Sequence, residues 1–88
     1  MNMKANPNRT KIIEAHLVPG GNISRDIFKL PCVDGASKLP NGDTMYYCVN
    51  SYHHDHDWAE KNDYICKDEY GNWFTLSSEE YHEYMSDE

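Results

Sequence analysis

The chain is short of long apolar runs, of basic residues and of cysteine. Only 39% of its 88 residues are hydrophobic, and no stretch approaches the ~20 consecutive apolar residues that a membrane-spanning helix needs. The opening residues, MNMKANPNRTK, also lack the apolar segment of a secretory signal peptide. We therefore expect a small cytoplasmic protein that does not associate with membranes.

Cysteine is too scarce and too widely spaced to define a metal site or a disulfide framework. Cys32, Cys48 and Cys66 are odd in number and include no C-x-x-C pair, so we expect reduced, partly buried thiols. The chain also lacks a phosphate-binding glycine loop, a G-x-S-x-G sequence and an H-E-x-x-H sequence. These absences predict a protein that is not an enzyme and that needs no cofactor.

Basic residues are outnumbered by acidic ones. Eight Lys and Arg stand against fifteen Asp and Glu, which gives a net charge of −7. The charge is uneven, at +3 over residues 1–30 and −10 over residues 31–88. An acidic surface repels the phosphates of nucleic acids and membranes and attracts basic protein surfaces. The composition therefore predicts a protein partner, with no direct contact to nucleic acid or to a membrane.

The strongest local pattern is a β-hairpin made of residues 63–67 and 72–76. Between these two predicted strands, residues 69–71 form a three-residue loop in which Gly71 supplies a left-handed backbone conformation. This loop pairs Asp68 with Asn72. The pairing places one apolar set on a single face of the hairpin, namely Tyr64, Cys66, Phe74 and Leu76.

A helix is predicted directly after the hairpin, ending near Met85. Ser77 is the expected N-cap, and Glu80 stands at the third helical position to complete a capping box. Leu76 and Tyr81 occupy the two positions of a hydrophobic staple around that cap. The hairpin and helix together predict a well-defined local fold.

The rest of the chain supplies fewer elements. Residues 11–18 predict a first strand, and residues 22–30 predict a short helix that Pro31 ends. Residues 44–52 predict a central strand, because both of its faces are apolar or amphipathic, and we expect it to pair with the strand at residues 63–67. The intervening segments, residues 32–43 and 53–62, are predicted loops.

This order, β-α-β-β-β-α, predicts a small α+β domain. We expect a three- to four-stranded, mostly antiparallel sheet with a helix packed on one face. Residues 1–10 are expected to form a flexible N-terminal arm, and residues 11–88 a single domain. The pattern leaves open where the first strand lies in the sheet and whether the protein forms a homodimer.

Several short segments resemble a group of small bacteriophage-encoded proteins. They are Ile13-Glu14-Ala15, Asn22-Ile23, residues 62–68 (NDYICKD), Gly71, Leu76-Ser77 and Tyr81. Proteins of that group end in a Gly-Asp-Tyr-Ile strand, a glycine turn, an aromatic second strand and a closing helix. This chain departs from the group at Asn62, where glycine is usual, and in its long His-rich loop. The resemblance implies a phage origin, a location in the host bacterial cytoplasm and no catalytic residues.

Tyrosine and tryptophan exceed what so small a core can enclose. Exposed aromatic side chains beside carboxylates are typical of protein-binding surfaces. Our first hypothesis is a non-catalytic, acidic phage accessory protein that inhibits a host defence system, of the anti-CRISPR or anti-restriction type, by blocking a basic nucleic-acid-binding surface of a host protein. The residues expected to bind that partner are Asp68, Glu69, Tyr70, Trp73, Glu79, Glu80 and Glu83.

An alternative hypothesis rests on the His-Asp run at residues 53–57. Imidazoles and carboxylates suit zinc, nickel or copper, which would make this a small metal-binding or virion-associated structural protein. The candidate ligands are His53, His56 and Asp57. Consecutive residues rarely all point at one ion, so we expect no functional metal site.

Overall fold

The structure, a computed structural model, describes residues 10–86. The predicted N-terminal arm lies outside the described residues except for Thr10, which is buried. The elements within this range are β1 (Ile12–Leu17), α1 (Arg25–Phe28), β2 (Val33–Lys38), β3 (Thr44–Asn50), β4 (Asp55–Ala59), β5 (Tyr64–Asp68), β6 (Trp73–Leu76) and α2 (Ser78–Ser86).

The strands form two antiparallel sheets of three strands each. The first sheet has the order β1-β5-β6 and the second has the order β2-β3-β4. The α+β class is therefore confirmed. The chain divides its strands between two sheets, because it contains two strands that the sequence pattern did not predict.

Those two strands are β2 and β4, which lie in the segments predicted as loops. Both are edge strands, and an edge strand needs few apolar residues, so neither VDGASK nor DHDWA shows a clear strand pattern. Their presence changes the pairing of β3. It is a central strand, as predicted, but it pairs with β2 and β4 instead of β5. The first strand, β1, pairs with β5.

The predicted C-terminal hairpin is confirmed in register. Cys66 lies opposite Phe74 and Tyr64 lies opposite Leu76. The backbone N–H of Asp68 donates to the carbonyl of Asn72 at 3.0 Å, as the three-residue loop requires. The capping box at the start of α2 is also present (Ser77 N to Glu80 Oε1 at 2.9 Å, Glu80 N to Ser77 Oγ at 3.1 Å).

The first helix is shorter than predicted. The helical segment covers four residues, Arg25–Phe28, and its N-cap Ser24 makes no side-chain capping bond. Such a short helix depends on tertiary contacts. Two of them hold it, since Ile27 is buried in the core and the backbone N–H of Ser24 donates to the hydroxyl of Tyr46 at 2.8 Å.

Two apolar clusters order the elements into layers. The cluster between the sheets contains Val18, Ile27, Cys32, Tyr46, Cys48, Ala59, Ile65 and Trp73. The cluster between the first sheet and α2 contains Cys66, Phe74, Leu76 and Tyr84. The β5–β6 hairpin is therefore buried on both faces, and the layers run from α2 through the first sheet to the second sheet.

Changing Gly71 to valine should destabilise the fold by about 1–2 kcal/mol, the cost of a left-handed backbone at a residue with a side chain. Gly71 has a φ of 83°, and among residues 10–86 no atom beyond its two chain neighbours lies within 4 Å of the position a Cβ would take, so the penalty is conformational. Urea denaturation measures the change. Gly71→Asn is the matched control and should lose less, because asparagine tolerates this conformation. Equal loss in both variants would contradict the conformational explanation.

Candidate functional site

One face of the second sheet points away from the core. Along β3, residues alternate strictly between buried and half-buried. Tyr46 and Cys48 are fully buried against the first sheet, whereas Met45, Tyr47 and Val49 point to the other side. We call this second side the outer face.

The outer face presents three stacked aromatic rings, which we call the aromatic platform: Tyr47, His56 and Trp58. The rings of Tyr47 and His56 lie 4.1 Å apart between centroids, with planes 6° from parallel. The rings of Tyr47 and Trp58 lie 4.7 Å apart and are tilted by 40°. Trp58 lies directly opposite Tyr47 across β3 and β4 and is 46% exposed, which leaves a large aromatic surface in contact with water.

Two carboxylates lie beside this platform, those of Asp34 and Glu60. Asp34 lies at the bulge between Val33 and Gly35 in β2, and its Oδ2 is 2.8 Å from Nε2 of His56. Glu60 directly follows β4 and is exposed. Asp55, the first residue of β4, is also exposed, but it alternates with His56 and so lies on the other side of the strand. The three strands of the second sheet contain one basic residue, Lys38, and it lies at the opposite end of β2 from Asp34. The platform is thus an aromatic surface in an acidic setting.

The platform was not found by sequence reasoning, because residues 53–62 were predicted to be a loop. The alternation of His56 and Trp58 with Asp55 and Asp57 was the available signal. It matches the period of a strand with one aromatic face. Aspartate is depleted in strands, and this masked the pattern.

Two of the predicted partner-binding residues are corrected by the structure. Asp68 is fully buried, and its carboxylate accepts hydrogen bonds from Thr10, Tyr52 and the backbone N–H groups of Tyr70 and Asn72. Trp73 is 9% exposed and lies in the core cluster between the sheets. Both residues belong to the interior because the hairpin is covered on both faces, so neither can form part of an exposed binding surface.

The other predicted residues lie on the surface in two groups. Glu69 and Tyr70 lie in the turn between β5 and β6, where Tyr70 is 71% exposed. Glu79, Glu80 and Glu83 are exposed on α2. Because α2 begins at the far end of β6 from that turn, Glu79 and Glu80 are separated from Tyr70 by the length of the hairpin.

Carboxylates converge where α2 begins. Burial raises the pKa of Asp63 above its usual range, the backbone N–H of Glu60 lowers it, and the negative charges of Glu60 and Glu80 raise it further. These two charges come from different parts of the chain, since Glu60 follows β4 and Glu80 lies in the first turn of α2. Glu60 and Glu80 therefore lie close enough to Asp63 to interact with it electrostatically.

The candidate metal ligands are not brought together. His56 stacks on Tyr47, and Asp57 points inward to accept hydrogen bonds from Asn50 and Thr75. His53 is exposed in the turn before β4. Within residues 10–86, no group of three His, Cys, Asp or Glu side chains has an arrangement that could hold a metal ion.

All three cysteines are free and buried. Burial raises the pKa of Cys66 to about 12. Contact with Cys32, followed by burial, also raises the pKa of Cys48. Cys48 and Cys66 are therefore neutral thiols at neutral pH, a state that disfavours nucleophilic attack.

Comparisons of the chain with protein-family models, with curated proteins and with solved structures gave no match. Among residues 10–86, neither helix has the length and apolar character required to cross a membrane. The fold and the aromatic platform define a small α+β protein with an exposed acidic and aromatic surface.

Proposed function

We propose that this protein is a non-catalytic binder that covers a basic surface of another protein. The observation that supports this proposal is the aromatic platform with the two carboxylates beside it. The exposed face of Trp58 attracts cations, and the guanidinium of arginine in particular stacks on aromatic rings. Asp34 and Glu60 supply opposite charges beside such a side chain.

The charge argues for a basic protein in preference to a nucleic acid. Bases also stack on aromatic platforms, but proteins that bind single strands pair the aromatic rings with a basic groove that follows the phosphates. Here the residues around the platform are acidic, and residues 31–88 carry a charge of −10. Phosphates would be repelled, whereas lysine and arginine would be attracted over a Debye length of about 8 Å at physiological salt.

The partner class we propose is a nucleic-acid-binding protein of a bacterial host. Such proteins present basic channels to DNA or RNA, and an acidic, aromatic protein can occupy the channel in place of the nucleic acid. Together with the resemblance to phage proteins, this makes the protein an inhibitor of a host defence system, of the anti-CRISPR or anti-restriction type. The glutamates of α2 lie on the opposite side of the layered fold from the platform, so together with Glu69 and Tyr70 they would form a second, separate contact.

Trp58→Ala should remove the central contact and lower partner affinity by roughly 30-fold, the effect of losing a hot spot of about 2 kcal/mol. A tagged copy of the chain is used to capture its partner from a bacterial lysate, and the captured protein is then purified. Binding of wild type and variant to that protein is measured at two salt concentrations. The same variants are tested for protection of phage or plasmid against host defence.

Phe28→Ala is the matched control, because Phe28 is an aromatic residue of similar exposure on α1, where Arg25 and Lys29 outnumber the single carboxylate of Asp26. It should bind like the wild type. The double variant Asp55→Lys and Glu60→Lys should slow association and reduce its salt dependence. Full binding and full protection by the Trp58→Ala variant would end the proposal, and so would a captured partner without a basic surface.

A further inference from the structure

The outer edge of β1 is an open strand edge with exposed apolar side chains. β1 is the first strand of the order β1-β5-β6, so one of its edges bonds to β5, and among residues 10–86 no strand pairs with its other edge. Ile13 is 53% exposed and Leu17 is 52% exposed. Unpaired N–H and C=O groups on such an edge form a template for another strand.

The backbone groups that face outward can be assigned from the bonds to β5. The N–H of Val18 donates to the carbonyl of Asp63 at 2.9 Å, and the carbonyl of Val18 accepts from the N–H of Asn62 at 3.0 Å. Hydrogen bonding alternates from one residue to the next along an antiparallel strand. The backbone of Val18, His16 and Glu14 therefore faces β5, and that of Ala15 and Leu17 faces outward. Ile13 lies at the bulge that precedes Glu14, and its side chain, like that of Leu17, is more than half exposed.

We propose that this edge pairs antiparallel with the same edge of a second copy of the chain, with Ala15 on the two-fold axis. In this register Ile13 lies opposite Leu17 of the partner copy, and Glu14 lies opposite the partner copy's His16. A contact about a two-fold axis is self-complementary, so each of these pairs occurs twice. The two first sheets then form one continuous six-stranded sheet.

The side chains select this register over its neighbours. Residues that face outward oppose one another only in every second register of an antiparallel pair. The two registers to compare with the proposed one are therefore those centred on Glu14 and on His16. One step in one direction places Glu14 against Glu14, which is unfavourable because like charges directly opposite repel. One step in the other direction places His16 against His16 and removes the Ile13–Leu17 pairs. Only the register centred on Ala15 combines two Glu14–His16 pairs with two Ile13–Leu17 pairs.

The charged groups on this face are consistent with the proposed pairing. Glu14 Oε1 lies 3.0 Å from His16 Nε2, and Glu14 Oε2 lies 3.8 Å from Lys67 Nζ in the same copy. Pairing about Ala15 places each Glu14 between its own His16 and that of the partner copy. The bulge between Ile12 and Glu14 confines the contact to residues 13–17.

The test is sedimentation velocity over a wide protein concentration range, with circular dichroism to verify folding. The wild type should dimerise as concentration rises. Ile13→Lys and Leu17→Glu should each weaken the dimer by about tenfold, since each removes two apolar cross-strand pairs. The combined variant should recover most of this loss, because the introduced lysine of one copy then opposes the introduced glutamate of the other in both pairs. Phe28→Lys, at an exposed apolar residue away from the edge, should leave dimerisation unchanged.

A second measurement does not depend on those variants. Ala15→Cys places two thiols beside the two-fold axis, and mild oxidation should convert it to a covalent dimer, whereas Glu79→Cys on α2 should stay monomeric. The native cysteines are buried and do not interfere. A wild type that stays monomeric at millimolar concentration would overturn the proposal. A dimer that none of the β1 variants weakens, or an Ala15→Cys variant that does not cross-link faster than Glu79→Cys, would also overturn it.

Discussion

Replacing Asp68 with asparagine should destabilise the protein by about 3 kcal/mol, because a buried carboxylate that accepts several hydrogen bonds is lost. Thr10 Oγ1 donates to this carboxylate at 2.7 Å and the hydroxyl of Tyr52 also donates to it. The backbone N–H groups of Tyr70 and Asn72 donate at 2.9 and 3.0 Å. The amide group of asparagine would turn a donor toward two of these donors.

The bonds to Asp68 connect separate parts of the chain. Thr10 precedes β1, Tyr52 follows β3, and Tyr70 and Asn72 belong to the β5–β6 turn. One carboxylate therefore joins the start of the described chain, the second sheet and the hairpin. Its loss should loosen all three at once, which is why we expect a larger effect here than at any exposed carboxylate.

The same carboxylate predicts how stability depends on pH. Burial raises the pKa of Asp68, but the hydrogen bonds from Tyr52, Thr10 and the backbone outweigh burial, so the pKa is lowered in the folded protein. A lowered pKa stabilises the fold above the unfolded pKa of about 3.9, and this stabilisation disappears as the pH falls through the folded value. The difference in the free energy of unfolding between the wild type and the Asp68→Asn variant should therefore shrink as the pH falls into the acid range.

Urea denaturation at neutral pH and over the acid range measures both effects. Glu69→Gln is the matched control, since Glu69 is the next residue along the chain and is exposed. It should change stability by less than about 0.5 kcal/mol, as is usual for an exposed site. An Asp68→Asn variant as stable as the wild type would contradict the role assigned to this carboxylate. A variant whose stability falls in acid as steeply as that of the wild type would also contradict it.

Leu76→Ala should cost about 3 kcal/mol, the usual effect of removing a buried leucine side chain. Leu76 is 2% exposed and packs in the cluster between the first sheet and α2. Its neighbour Ser77 contributes a different interaction, the capping bond from Glu80 N to Ser77 Oγ, and Ser77→Ala should cost only about 1 kcal/mol.

The two variants change adjacent residues and separate packing from capping. Thermal and urea denaturation of both should place Leu76→Ala well below Ser77→Ala in stability. The reverse order would show that the apolar face of the hairpin carries less of the stability than the helix cap, and it would challenge the packing of α2 on the first sheet.

The layered fold explains why the aromatic platform is exposed. α2 covers one face of the first sheet, and the second sheet covers the other. The outer face of the second sheet then remains for Tyr47, His56 and Trp58. An exposed tryptophan on the outer face of a sheet can contact a partner without any rearrangement of the fold.

Local interactions determined the C-terminal third of the chain, and for this part the sequence was sufficient. The hairpin register follows from a three-residue loop with Gly71, and the start of α2 follows from Ser77 and Glu80. Each involves residues a few positions apart, so the turn and capping patterns of the sequence contain the necessary information.

Tertiary pairing decided the rest. β2 and β4 become strands because β3 offers hydrogen-bonding partners on both edges, and their own residues carry little strand preference. The burial of Asp68 also depends on tertiary contacts, since its hydrogen-bond donors Thr10 and Tyr52 lie 58 and 16 residues away along the chain. A pattern read along the sequence shows that a residue is polar. Whether that residue faces water or holds three segments together depends on contacts that only the folded chain creates.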